Sequence, residues 1–165
     1  MFDVSEVVIR CTRHEEAADL PAIERSAAMA FASIAELAWI ADDKVLDEQQ
    51  HRHFIEIGGS WIALVRDRPV GFACAEPAGD DLHLWELAVE HESQGRGIGH
   101  RLVTAVVDAA RAASHERVTL TTFRDVPWND AFYRHLGFEV IAGSEFDPRT
   151  RRILELEGQA GMPLE

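Results

Sequence analysis

The chemistry-bearing residues of this chain gather in two places. The first is the run Gln94-Gly95-Arg96-Gly97-Ile98-Gly99, with His83 and Glu86 just upstream. The second surrounds Tyr133, the single tyrosine of the chain. In the first run three glycines alternate with Arg96 and Ile98. Such a backbone can turn sharply and come close to a ligand. It lies between a stretch that reads as a strand, Leu82 to Val89, and one that reads as a helix, Ile98 to Ser114. A helix opening leaves N–H groups without an intrahelical partner. Those donors and the positive end of the helix dipole make an anion site. Arg96 adds a fixed positive charge in a chain of formal net charge −13. A pyrophosphate suits this chemistry.

Spacing narrows the choice. A nucleoside-triphosphate loop needs G-x-x-x-x-G-K-[S/T], and no Lys-Ser or Lys-Thr pair follows these glycines. A dinucleotide fingerprint needs G-x-G-x-x-G/A, but the third place is His100 or Leu102, depending on where counting starts. The pattern Q/R-x-x-G-x-G/A does fit, as Gln94, Gly97 and Gly99. It resembles the acetyl-CoA loop of the GNAT superfamily of N-acetyltransferases. Glu86-Leu87-Ala88-Val89 before it and Leu102-Val103 after it match that family's strand and helix. The plain alternative is an ordinary glycine-rich strand-to-helix turn.

The second motif is Pro127-Trp-Asn-Asp-Ala-Phe-Tyr-Arg-His-Leu-Gly-Phe138. It reads as a short helix stopped by Gly137, with a strand from Phe138. It resembles the family's tyrosine-bearing helix ahead of Gly-Phe, through Phe132-Tyr133 and Gly137-Phe138. The family commonly carries an asparagine seven residues before this tyrosine. Here that place is Val126, and Asn129 stands four before it. Asn129 is therefore open between facing the cofactor and capping the helix.

The resemblance covers about Val70 to Phe138 well and the remainder only in pattern. It implies an α/β (α+β) fold with a central mixed, mostly antiparallel twisted sheet, splayed at the acetyl-CoA site and flanked by about four helices. It implies acetyl transfer from acetyl-CoA to a primary amine of a small molecule or peptide, by direct transfer in a ternary complex. Leu87, Ala88, Val89, Gln94, Gly95, Arg96, Gly97, Ile98, Gly99, His100, Asn129 and Phe132 become the cofactor-binding set, with no metal. Tyr133 stands where the family places the acid that protonates the departing thiolate. The attacking amine must lose a proton to a base. Glu86 and His83 are the two candidates, on opposite faces if the strand is regular. A structural carboxylate and a surface histidine are their plain alternatives, and water is a third carrier. A backbone N–H of Leu87–Val89 could stabilise the thioester oxygen. Two rival classes remain: a non-catalytic acyl-CoA sensor, and an interaction module on the same scaffold. Retention of Tyr133 and of the glycine loop counts against them.

Composition bounds the rest. A chain of 165 residues suggests one domain, 1–165. At 47% hydrophobic and 27% charged it can bury a core and stay soluble. No apolar run reaches membrane-spanning length, and no secretory pattern opens the chain. Cys11 and Cys74 read as buried free thiols of a cytoplasmic protein, too few for a metal framework. The acidic balance argues against nucleic acid and suits a cationic substrate. A homodimer is left open.

The positioning elements follow from pattern. Val7 to Arg10 reads as a strand. Asp19 reads as the cap of a helix from Leu20 to Ala32, with Pro21 in its first turn. Trp39 and Ile40 read as core, with cleft lining as the other use. Asp43 to Ile57 reads as a helix, with His51 and His53 on a solvated face. Ser60 to Arg66 and Val70 to Glu76 form a hairpin turned at Asp67 to Pro69. Arg117 to Phe123 reads as a β-branched strand. Asp147-Pro148 opens a last helix to Glu157, where the family usually has one more strand.

Overall fold

The computed structural model describes residues 3–122 and 126–159. They form five strands: β1 Val7–Cys11, β2 Ser60–Val65, β3 Arg68–Ala78, β4 Asp81–Val89 and β5 Val118–Leu120. The α-helices are α1 Leu20–Ala28, α2 Glu48–Glu56, α3 Ile98–Ala112, α4 Asn129–His135 and α5 Pro148–Gln159. The chain divides into two compact units, Met1–Thr119 and Leu120–Glu165. No helix among the described residues is long and apolar enough to cross a membrane.

The sheet runs β1-β2-β3-β4-β5. The first three pairings are antiparallel, and β5 is reached by crossover through α3, giving a mixed sheet. Every residue of β2 is buried, as expected of a near-continuous apolar run at the sheet centre. Arg66 and Asp67 both take positive φ, which makes the tight hairpin turn one step earlier than its sequence suggests. One sheet face packs on α1 and α2, where Leu20, Ile23, Phe54, Ile62, Leu64, Phe72, Cys74 and Ala88 form the core. The other face packs on α3 through Leu102, Val103 and Val106. Gly71 makes that approach possible, because a Cβ there would lie 2.9 Å from the Ala88 carbonyl and 3.3 Å from Leu102.

Several expectations need adjustment. The first helix ends at Ala28, and Met29–Ser33 continues as a tighter 3-10 turn. The second begins only at Glu48, because Asp47 and Gln50 form a reciprocal cap with bonds of 2.8 and 2.9 Å. Asp19 precedes α1 without a side-chain cap bond. Trp39 is 39% exposed and so is no core residue. Cys11 is exposed at the end of edge strand β1; Cys74 is buried as expected. His51 is fully buried, and only His53 lies on the solvated side.

In the second unit, α4 ends in two bonds typical of a glycine stop: Phe138 N–H to Tyr133 C=O at 3.0 Å and Gly137 N–H to Arg134 C=O at 2.9 Å. Gly137 has φ +88. No strand forms at Phe138 to Ile141 among the described residues, and Val140 is 69% exposed. A strand needs a ladder partner, and the next long segment is helix α5. Asp147 caps α5, accepting the Thr150 N–H at 2.7 Å, and Pro148 opens it. The strand expected to Phe123 stops at Leu120, and its last expected residue lies outside the described set.

Gly71→Ala should destabilise the fold by about 1–3 kcal/mol, the usual cost of overpacking. Urea unfolding followed by circular dichroism reads this directly. Parental stability would mean that β4 and α3 adjust freely around the added methyl.

Candidate active site

The glycine run folds as a tight turn that leads into α3. Gly95 and Gly97 take φ +72 and +80, and Gly97 is the left-handed cap residue before α3. No side chain of the loop fills the space beside Gly97; the nearest atom to a Cβ there would be a Val4 methyl at 3.9 Å. The N–H groups of Ile98 and Gly99 open the first turn of α3, where a helix leaves its donors without an intrahelical acceptor. That cradle fits a pyrophosphate. Gln94 does another job. Its side-chain amide donates to the Val89 carbonyl at 3.0 Å and to the Ala27 carbonyl at 3.4 Å. It thereby ties the loop to the ends of β4 and α1. Arg96 folds back toward the Glu92 carbonyl at 3.4 Å. Below the loop, Arg68 grips Glu90 through two bonds of 2.6 and 2.7 Å, and Ser93 donates to the same carboxylate at 2.6 Å.

β4 leads into this loop, and its pairing decides where its side chains go. Glu86 stands opposite Cys74, but Leu84 stands opposite Ala75. One residue, Trp85, is extra: a β-bulge. Cross-strand partners share a face. His83, opposite Glu76, therefore lies on the same face as Glu86, opposite Cys74, not on the other one as a regular strand requires. That face looks toward α1 and α2. Beyond the bulge the ladder alternates normally. The Glu90 N–H donates to Val70 at 2.9 Å, so by alternation Ala88 bonds β3, while the N–H groups of Leu87 and Val89 turn to the β5 side. The ladder to β5 starts where the Leu82 N–H meets the Arg117 carbonyl at 2.9 Å. β5 has three residues against nine in β4, so it ends before Leu87.

Glu86 opens into a cavity of about 480 Å³ between β4 and α2. Leu46, Gln49, Gln50, His53, Phe54 and Trp85 form the rest of its wall. Burial, then repulsion from Glu24, pushes the Glu86 carboxyl well above the ordinary carboxylate range. Glu24 is raised likewise, chiefly by burial. His83 has a different setting. It is 2% exposed, its Nδ1 lies 2.9 Å from the Thr119 hydroxyl, and its ring meets Trp85 edge-on. Burial pushes its pKa down to about 4. Among the described residues no hydrogen bond reaches its Nε2.

In the second unit, Tyr133 is half-buried on α4, its ring 4.9 Å from Phe132 and 5.7 Å from Phe138. Asn129 does not cap its helix by side chain. Its Nδ2 donates to the Thr122 hydroxyl at 2.7 Å.

A family model described as the acetyltransferase (GNAT) family matches residues 27–138. The chain belongs to this family. It is 30% identical over 99 residues to human N-acetyltransferase 8B, a stretch that is 56% of this chain and 44% of that protein. The chain thus spans less than half the length of that relative. Solved structures share the fold at low identity. PaiA N-acetyltransferase of Thermoplasma acidophilum, in complex with coenzyme A, aligns with TM-score 0.69 at 18% identity, covering 85% of this chain and 95% of that one. The ribosomal-protein-S18-alanine N-acetyltransferase of Escherichia coli aligns with TM-score 0.63 at 18% identity, over 82% and 79%. Ard1 of Thermoplasma volcanium gives 0.67 at 16% identity, over 83% and 85%.

The GNAT motifs pointed to β4, the loop and α4, but not to the cavity wall. Leu46, Phe54 and Trp85 carried no motif. A signal was available in α2: His51 and Phe54 are three apart, so they share a helix face, and both are buried.

Coenzyme A should raise the melting temperature of the parent protein, and Gly97→Glu should abolish that rise. The substitution strains a left-handed position and adds negative charge to the cradle. An undiminished shift in the folded mutant would move the anion site elsewhere.

Proposed function

We propose that this protein is an acetyl-CoA-dependent N-acetyltransferase that acetylates a primary amine of a small molecule or peptide, by direct transfer in a ternary complex. We further propose that both compact units serve one acetyltransferase domain spanning 1–165. The observation that carries the reading is the position of Glu86. Glu86 lines the cavity, while the next residues, Leu87 to Val89, lead into the glycine loop.

Bound acetyl-CoA supplies the acetyl group and departs as the free thiol. The N–H groups of Ile98, Gly99 and His100, with the helix dipole, hold its pyrophosphate. The N–H groups of Leu87 and Val89, free of the β3 ladder, suit the thioester oxygen as it gains charge. Glu86 accepts the proton of the amine. Its raised pKa makes it a stronger base than an ordinary carboxylate, closer to the working pH. His83 is a weaker choice, since burial and the Thr119 bond keep it from the cavity. We carry the family's acid role to Tyr133 by its motif position.

The cavity also suggests an acceptor class. Leu46, Phe54 and Trp85 give it an apolar wall around a carboxyl. That suits an amine whose nitrogen sits beside an apolar body, including a peptide N-terminus with a small apolar first residue. An ammonium arriving there can also meet the Trp85 ring.

Incubation with acetyl-CoA and a panel of amines tests the reading, with free thiol and acetylated product followed together. Thiol release should require an apolar-bodied amine and match the acetylated amine one to one. Binding of acetyl-CoA with no product from any amine would instead favour a sensor. With a productive amine, kcat/KM should rise with pH as Glu86 ionises. Glu86→Gln should lose that limb and most of the rate, and His83→Asn should stay near parental. Tyr133→Phe should lower kcat by about ten- to a thousand-fold, in the range of lost general-acid help, with coenzyme A binding kept. Full turnover by Glu86→Gln would remove it as the base.

A further inference from the structure

One wall of the cavity is held from outside it. Leu46 lines the cavity, yet it belongs to residues 43–47, which lie in no helix or strand. Two N–H groups of this stretch bond close by in sequence: Lys44 donates to the Asp43 carboxyl at 2.8 Å, and Asp47 donates to the Gln50 carboxamide at 2.9 Å. The Leu46 N–H crosses instead to another helix, donating to the Glu24 Oε2 of α1 at 3.0 Å. α1 is a firm base for that bond. Its Leu20 and Ile23 sit in the core. Its Ser26 hydroxyl accepts the His91 N–H at 3.0 Å, and its Ala27 carbonyl accepts from Gln94.

Behind Glu24 the core supplies a second polar layer. His51 on α2 has no exposed surface, and its Nε2 lies 4.0 Å from the same Glu24 oxygen that holds Leu46. Its Nδ1 lies 3.8 Å from the Cys74 sulfur, and its ring meets Phe72 edge-on at 4.8 Å. Burial pushes the Cys74 thiol up and His51 down to about 4, so near neutral pH a thiol faces a neutral ring. A thiol donating to Nδ1 leaves the ring proton on Nε2, the nitrogen that faces Glu24. A buried carboxyl without partners is costly. Here the Leu46 N–H meets it from the cavity side and the His51 ring stands behind it.

Resting on the reading of this cavity as the acceptor site, we propose that Glu24 is a positioning residue for acceptor recognition: by holding the Leu46 N–H, it fixes Leu46 as the wall on which the apolar body of the amine packs. Glu24 itself touches neither the substrate nor the reacting atoms. It orders Leu46 before the amine arrives, so that binding need not supply that ordering. Its effect therefore falls on recognition of the apolar body and leaves the transfer step at Glu86 alone.

Steady-state kinetics with isobutylamine, or another productive apolar-bodied amine, tests this. Glu24→Ala should raise KM for the amine by about three- to tenfold, the range for one lost hydrogen bond. Its kcat and its KM for acetyl-CoA should change little. Glu24→Gln should restore the parental KM, because its carboxamide oxygen can still accept the Leu46 N–H. Leu46→Ala should raise KM likewise, and Glu24→Ala should add little in that background, since both act on one wall. A raised KM in Leu46→Ala beside a parental KM in Glu24→Ala overturns the proposal alone, and so do additive losses or a Glu24→Gln as impaired as Glu24→Ala. A parental KM in Leu46→Ala removes the cavity as the acceptor site and takes the proposal with it. Hydrogen exchange followed by NMR on the parent protein needs neither an amine nor a folded alanine variant. The Leu46 amide should exchange markedly more slowly than an open loop amide; exchange at the open-loop rate would overturn the proposal by itself.

Discussion

One inserted residue in β4 sets the geometry on which the rest of the site depends. Without the bulge at Trp85, His83 and Glu86 would lie on opposite faces of the sheet. With it, both lie on the face of α1 and α2, and Trp85 and Glu86 line one cavity. The bulge leaves the strand beyond it in register with β3. Leu87 and Val89 consequently turn their N–H groups toward the side where β5 has already ended. The strand thus offers a carboxyl above one face and, within a few residues, backbone donors turned away from β3.

The two faces of the sheet then divide the work. α3 packs on one, with Gly71 giving it room to come close, and its N-terminus follows the glycine turn. α1 and α2 cover the other, and Gln49, Gln50, His53 and Phe54 of α2 line the cavity with Glu86. Burial acts in opposite directions on the acids and the histidines of this region. It raises Glu24 and Glu86 and lowers His51 and His83, so all four favour the neutral form. For the histidines the unfolded chain binds protons first, so they cost stability as pH falls from about 6.5 through about 4. For the carboxyls the sign reverses: the stability of their protonated forms is full below the ordinary glutamate range and is lost as pH rises through their folded values.

Much of this was legible in the chain because local rules dominate there. The apolar run of β2, the positive-φ glycines before α3 and the Gly137 stop are short-range features, and their residues announce them. The bulge was not legible, since Ala75 opposite Leu84 is a fact of pairing and no local residue marks it. His51 looked like a surface histidine because its neighbours on α2 are polar; its burial comes from Phe72 and Glu24, far away in sequence. The strand expected at Phe138 failed for a related reason. Its β-forming residues needed a partner, and Asp147-Pro148 committed the following segment to a helix.

The most direct test of the account is a crystal structure with a bisubstrate compound joining coenzyme A to a productive amine through the acetyl carbon. The account predicts the pyrophosphate on the N–H groups of Ile98 to His100, and the amine nitrogen within hydrogen-bond reach of the Glu86 carboxyl, about 3 Å, with its apolar body between Phe54 and Trp85. An amine half that leaves the Glu86 cavity empty and lies against another surface would contradict it.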